Sequence, residues 1–178
     1  MIAVCQEIES ILSSLRSDDP PVTRETRLAV IDKLRRKDPT EVAAVLTEAL
    51  QDCDPDFRCE IASVFLAADF ARALEPIRSA LLNDLNDGVR YYLCELLGAS
   101  RRREAIPLLE NALLHDTDST TRIVAVSALR HLGDPTAIPA LQRAMQNDTG
   151  VDYEGRPVKD IAAEAIRRIQ EKQHEEML

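Results

Sequence analysis

EAIPLLENALLHDTDSTTRIVAVSALRHLG, residues 104–133, decides the fold. Ile106, Leu109 and Leu113 recur at helical spacing, as do Ala125, Leu129 and Leu132, and the two stripes are separated by the Asp-rich turn at 116–118. Pro107 falls in the first turn of the first pattern, where a missing N–H matters little, and Gly133 stops the second. Asp116 and Asp118 are both placed to accept the free amides that open the second helix. The segment therefore predicts helix, turn, helix.

Working outward, the same unit recurs. Asp52, Asp84, Asp116 and Asp148 are spaced by 32 residues, as are Arg58, Arg90 and Arg122, and Arg27 lies 31 residues before Arg58. Two apolar columns keep step: Val42, Leu74, Ile106 and Ile138, then Val45, Ile77, Leu109 and Leu141. Pro139 matches Pro107 one period later. The fold class is all-α, an α-solenoid (α–α superhelix) of about five helix pairs in one domain over residues 1–178. The pairs run approximately over 1–37, 38–70, 71–102, 103–134 and 135–178. The last carries five inserted residues within GVDYEGRPVK (150–159), where Lys159 follows Arg122 by 37 residues and takes the arginine's place. Two glycines and a proline predict an exposed, partly mobile loop there, either a tolerated surface insertion or a ligand-touching loop.

The elements Ala105-Ile106-Pro107, Asp116, Thr121-Arg122, Pro139 and Asp148 resemble the HEAT-like repeat, and the short period resembles the phycobilisome-lyase type. The resemblance implies a right-handed stack of helix pairs, with first helices on the convex side and second helices on the concave side. It is specific for architecture and weak for function, since such repeats serve scaffolds, adaptors, lyase subunits and some enzymes.

Composition narrows the function. The 178 residues carry 22 basic and 31 acidic side chains, a formal charge of −9, which repels nucleic acid and anionic bilayers. HEAT-like DNA glycosylases would need a cationic concave face. Arg35-Arg36-Lys37 and Arg101-Arg102-Arg103 are short clusters that suit helix ends. Cys5, Cys53, Cys59 and Cys94 form neither a CxxC pair nor a disulfide framework, no leader is evident, and no apolar run approaches the ~18 residues of a membrane span, so a soluble cytoplasmic protein with reduced thiols is expected.

No catalytic constellation emerges. His115, His131 and His174 lie on three helices at no metal-ligand spacing, and the iron-binding HEAT-like enzymes carry several His-Glu pairs where this chain has only His174-Glu175. Phosphate loops, GxSxG elbows and calcium loops are missing, so no cofactor or metal is expected.

Counting from the repeat arginine at ~100° per residue, positions +3 and +7 of the second helices form the core stripe: Val30, Ile61, Leu93, Ala125 and Ala162, with Leu34, Phe65, Leu97, Leu129 and Ile166. Positions +1 and +5 lie roughly opposite. At +5 stand Asp32, Ser63, Glu95, Ser127 and Glu164, as a solvated face requires. At +1 stand Leu28, Cys59, Tyr91 and Ile123, and only then Asp160. Tyr92 shares the flanking +2 column with Glu60 and Val124.

In a chain with 3% aromatic residues, Tyr91 thus falls on an apolar line beside a polar one, with Tyr92 on its flank, the composition of a contact surface. A helix rotation of about 40° would instead pack the +1 column between repeats as core, and the spacing leaves both phasings open. The groove phasing makes Leu28, Asp32, Cys59, Glu60, Ser63, Tyr91, Tyr92, Glu95, Ile123, Val124, Ser127 and His131 the candidate partner-binding residues. The expected function is a non-enzymatic protein-interaction module that holds a partner protein's segment on its concave face. The alternative, implied by the repeat subtype, is a bilin (tetrapyrrole) lyase-like subunit acting on phycobiliproteins.

Overall fold

The computed structural model describes residues 2–16, 21–152 and 154–176. Ten α-helices are present among them: α1 Ile2–Leu12, α2 Arg24–Leu34, α3 Pro39–Ala49, α4 Pro55–Ala68, α5 Phe70–Asn83, α6 Asp87–Ala99, α7 Ile106–His115, α8 Ser119–Leu132, α9 Ile138–Asn147 and α10 Val158–Glu176. No strand occurs among the described residues, and the fold is an all-α solenoid.

Local chemistry sets the helix starts. The side chains of Thr23, Asp38, Asp54, Asn86 and Asp118 accept amide hydrogens from the first turns of α2, α3, α4, α6 and α8. Pro39 and Pro55 follow their caps directly, where φ is preset and the lost N–H would have had no helical partner. α8 ends at Gly133, whose left-handed backbone (φ 69°) lets its amide close on the Leu129 carbonyl.

The periodic aspartate has a different task from the cap assigned to Asp116 in sequence. Asp118 alone caps α8, its carboxylate accepting the Thr121 amide hydrogen at 2.7 Å. Asp116 closes its own turn by accepting the Asp118 amide at 2.8 Å, as Asp52, Asp84 and Asp148 accept the amides of Asp54, Asn86 and Gly150. Its remaining acceptor capacity takes the arginine of the preceding pair. Arg90 forks onto Asp116 at 2.8 and 3.0 Å, and Arg122 onto Asp148 at 2.7 and 2.9 Å. Each of these guanidiniums also donates to a carbonyl in its own turn, Asp84 and Asp116 respectively.

The first interval departs from the period. Arg16, which precedes α2, reaches Asp52 and stacks on the Phe57 ring with 3.7 Å to the centroid. Arg27, aligned with the repeat arginines, forks instead onto Glu60 at 2.5 Å.

The helices gather into two compact units, residues 1–80 and 81–178. In the first, α1 packs on α2 and α3, and α4 on α2 and α3, around Ile8, Leu34, Leu46, Ile61 and Phe65. In the second, α8 lies between α6 and α10 while α7 and α9 pack along it and α10, around Leu93, Leu97, Leu109, Leu113 and Leu129. The +3 and +7 stripe is buried as expected except at its last member, Ile166, which is half-buried.

The 150–159 insertion is tied down more firmly than its glycines suggested. Buried Asp152 accepts the amides of Glu154 and Arg156 and the Arg156 guanidinium, Val151 bridges Pro157, and Ser119 of α8 donates to the Val151 carbonyl. The carboxylate replaces the missing repeat contacts by satisfying the loop's own amides. Residue 153 lies outside the described residues.

Two outcomes follow from the contrast between buried and exposed pairs. Asp116→Ala leaves Arg90, whose side chain is 11% exposed, without its anion, and the expected loss is about 3–5 kcal/mol in urea denaturation. Asp32→Ala, at an exposed i,i+4 pair with Arg36, should stay within about 0.5 kcal/mol.

Acid should act on the same contacts. Arg16 and the Asp54 amide hold Asp52 at about 2. Burial opposes ionisation of Asp148, but Arg122 and the Gly150 amide outweigh it and hold that carboxyl below its ordinary range. These groups bind protons more weakly folded than unfolded. Their contribution is therefore present above the unfolded value of about 3.9 and is lost as pH falls through it toward 2. The urea midpoint should be flat from about pH 7 to 5 and drop steeply below about 4. Asp148→Asn should start lower and show a shallower acid limb, and equal slopes for the two proteins would contradict this account.

Candidate functional site

α6 meets α8 through a glycine that leaves no room for a side chain. A Cβ added at Gly98 would stand 2.7 Å from the Ala128 Cβ. In the corresponding position of the other second helices stand Arg35, Leu66, Arg130 and Arg167, so the glycine is particular to α6. Gly98, Ala99 and Ala128 thereby make a floor with almost no side chain.

Walls rise on either side of that floor. Tyr91 and Glu95 come from α6, and Val124, Ser127 and His131 from α8, enclosing a groove of about 490 Å³. Tyr91 donates its hydroxyl to the Glu95 carboxylate at 3.1 Å, which fixes the ring along the helix surface. Tyr91, Val124 and Ser127 are half-buried, while Glu95 and His131 are exposed. A half-buried ring with a satisfied hydroxyl is an amphipathic wall: apolar body inward, polar tip at the rim.

The structure brings together five of the twelve residues singled out in sequence: Tyr91, Glu95, Val124, Ser127 and His131. Tyr92 and Ile123 lie on the same two helices, half-buried, and do not line the groove. α6 contributes its +1 residue and α8 its +2 residue, because a helix between two neighbours turns a different column to each. In the first unit, Leu28 is 53% exposed, Asp32 is exposed and paired with Arg36, Cys59 and Ser63 are half-buried, and Glu60 is held by Arg27. The floor residues Gly98, Ala99 and Ala128 were missed. A glycine inside a helical stripe, in a column otherwise of arginine and leucine, was the available signal.

Two further clefts lie where first helices end. One of about 310 Å³ is bordered by Arg90, His115 and Asp116, and one of about 400 Å³ by Arg122, Arg143 and Asp148. Their central charges are the stacking pairs, already joined to one another. Cys94 lies fully buried on α6, and burial pushes its thiol up to about 12, so it presents no thiolate. Most of the basic clusters' side chains form ion pairs within the chain, Arg36 with Asp32, Lys37 with Glu7, Arg102 with Glu104 and Arg103 with Asp134, while Arg101 stands exposed. Among the described residues no three His, Cys, Asp or Glu side chains gather to hold a metal ion, and no helix is long and apolar enough to cross a membrane.

With this geometry in place, the comparisons with known proteins fall on the same architecture. The family described as HEAT repeats matches residues 74–167, more than half of the chain, and the chain belongs to that family. The match is to HEAT repeats as such and does not extend to the phycobilisome-lyase subtype. Among solved structures, an engineered protein is 22% identical with a TM-score of 0.50 over 92% of this chain and 79% of that one, a likeness of fold. Human deoxyhypusine hydroxylase in complex with glycerol is 15% identical with a TM-score of 0.39, covering 96% and 98% of the two chains. No curated protein matches.

The close approach makes its own prediction. Gly98→Ala forces a methyl against Ala128, and the gain in helix propensity, about 1 kcal/mol, is smaller than the overpacking cost of about 1–3 kcal/mol. Gly98→Val should cost clearly more. A thermal melt in which Gly98→Ala is more stable than the parent would show that the helices can separate freely there.

Proposed function

We propose that this chain is a non-enzymatic protein-interaction module that binds a segment of a partner protein along its second-helix face, with the α6–α8 groove as the principal contact. The supporting observation is the groove itself: half-buried Tyr91 and Val124 stand over a floor of Gly98, Ala99 and Ala128, an apolar recess with a polar rim. HEAT repeats generally mediate protein interactions, which accords with it. Leu28, Asp32, Cys59, Glu60 and Ser63 make up the corresponding face of the first unit, with Leu28 as its exposed apolar point. Tyr92 and Ile123, half-buried on the same two helices, are assigned to the same contact surface. The tetrapyrrole-handling alternative draws on the sequence resemblance alone, and no residue of the groove favours it over a peptide.

A photoreactive phenylalanine analogue placed at Ser127 tests this reading in extract of the native host. It should give a discrete protein adduct that disappears when Tyr91→Ala is added. The same analogue at Gln142, exposed on α9, should give none. Tyr91→Ala must remain folded, and its half-buried ring predicts a smaller stability loss than the about 2–5 kcal/mol expected for fully buried Leu97→Ala. Equal labelling from the two positions would refute the assignment of this face.

A further inference from the structure

We infer, resting on the reading that this face binds a protein segment, that the occupant of the α6–α8 groove is a basic amphipathic helix. It inserts one aliphatic side chain over Gly98 and Ala128 and sets a lysine or arginine against Glu95. The first half of this follows from shape. The floor has no side chain at Gly98 and only methyls at Ala99 and Ala128, while Tyr91 and Val124 stand on either side, so the recess admits a bulky apolar group and gives it apolar contact on several sides.

Charge supplies the second half. Glu95 is exposed, its contact is the neutral Tyr91 hydroxyl at 3.1 Å, and among the described residues no cation pairs with it. Cations stand past the end of α6: exposed Arg101, whose amide reaches the Gly98 carbonyl at 3.4 Å, and Arg102, which pairs with Glu104. His131 stands on the opposite wall, and Arg130 beside it lies 3.9 Å from Glu164 of α10. Asp87 opens the same helix and Asp160 and Glu164 lie exposed on α10, against Lys159, in a chain of net charge −9. At Glu95 an acidic segment would meet repulsion and a basic one attraction, and the net charge of the chain acts in the same direction.

Spacing connects the two halves. Glu95 precedes Gly98 by three residues, about 4.5 Å along α6, the rise between residues three apart on a partner helix. An apolar anchor and a cation at i and i+3 or i+4 therefore reach the recess and the carboxylate together.

Three fluorescein-labelled synthetic helical peptides test this on the full chain: one of leucine and lysine with a single apolar face, one with glutamate in place of lysine, and one of lysine and serine without an apolar face. Anisotropy titrations should show binding by the leucine–lysine peptide alone. Ala99→Trp fills the recess from an exposed position and should weaken that binding about tenfold or more without lowering the melting temperature. Glu95→Gln should weaken it several-fold and flatten its dependence on salt up to about 0.15 M. Leu85→Ser, which removes a fully exposed leucine on the turn before α6, should change nothing.

Failures separate cleanly. Equal binding of the glutamate peptide, or an unaffected Glu95→Gln, overturns the basic occupant, while sensitivity to Ala99→Trp would keep the groove as the binding site. Indifference to Ala99→Trp, dependence on Leu85, or no binding by any peptide overturns the groove and its occupant together. Equal binding of the lysine–serine peptide would mean attraction by net charge alone and would overturn the apolar anchor.

Discussion

The bidentate pair between an arginine and the next repeat's aspartate is the contact on which the stack depends. Arg122 illustrates its reach: one guanidinium forks onto Asp148 and donates to the Asp116 carbonyl of its own turn, while Asp148 holds the Gly150 amide. Three separate pieces of chain are thereby fixed at one point. Both partners are largely removed from water, with side chains 15% and 8% exposed, so a register slip would leave two buried charges unmatched. The strict 32-residue period of both residue types is the trace of that constraint. Apolar columns alone would tolerate small offsets, since hydrophobic contact is non-directional.

The beginning of the chain shows the same requirement met by other means. Asp52 needs a cation, and Arg16 provides it from the segment after α1, braced on the Phe57 ring. Arg27 is released to pair with Glu60, which ties α2 to α4 through their helix bodies. The terminal loop is a second substitution: with the register interrupted, Asp152 gathers the loop's amides and the Arg156 guanidinium in place of a neighbouring repeat.

Helix number, pairing and the core stripe were legible because each rests on a period, and a period survives in a single sequence. The role of Asp116 was not, since Asp116 and Asp118 are the same residue type two positions apart, and both can accept an amide at a helix start. What separates them is a partner 26 residues away in Arg90. The arginine period matches that of the aspartates, but only geometry shows that the two meet and which arginine meets which aspartate. Arg27 makes the point: it lies in the right column and serves a different acid.

The groove was half legible for a related reason. Assigning a column to a face treats each second helix as having one outward direction. α8 lies between two neighbours, so its +2 residue Val124 borders the α6 side while its +1 residue Ile123 does not, and Tyr91 reaches the same groove from the +1 position of α6. The two phasings left open in sequence therefore both hold in part: Tyr91 is neither core nor free surface but half-buried along a seam. That seam can be a recess because of what Gly98 lacks. With a side chain there, as the arginines and leucine of the other helices have, α6 and α8 would be forced apart and the space filled from within. Glycine draws the backbones together and leaves the emptied volume facing outward between Tyr91 and Val124, so the same residue that tightens the core opens the surface.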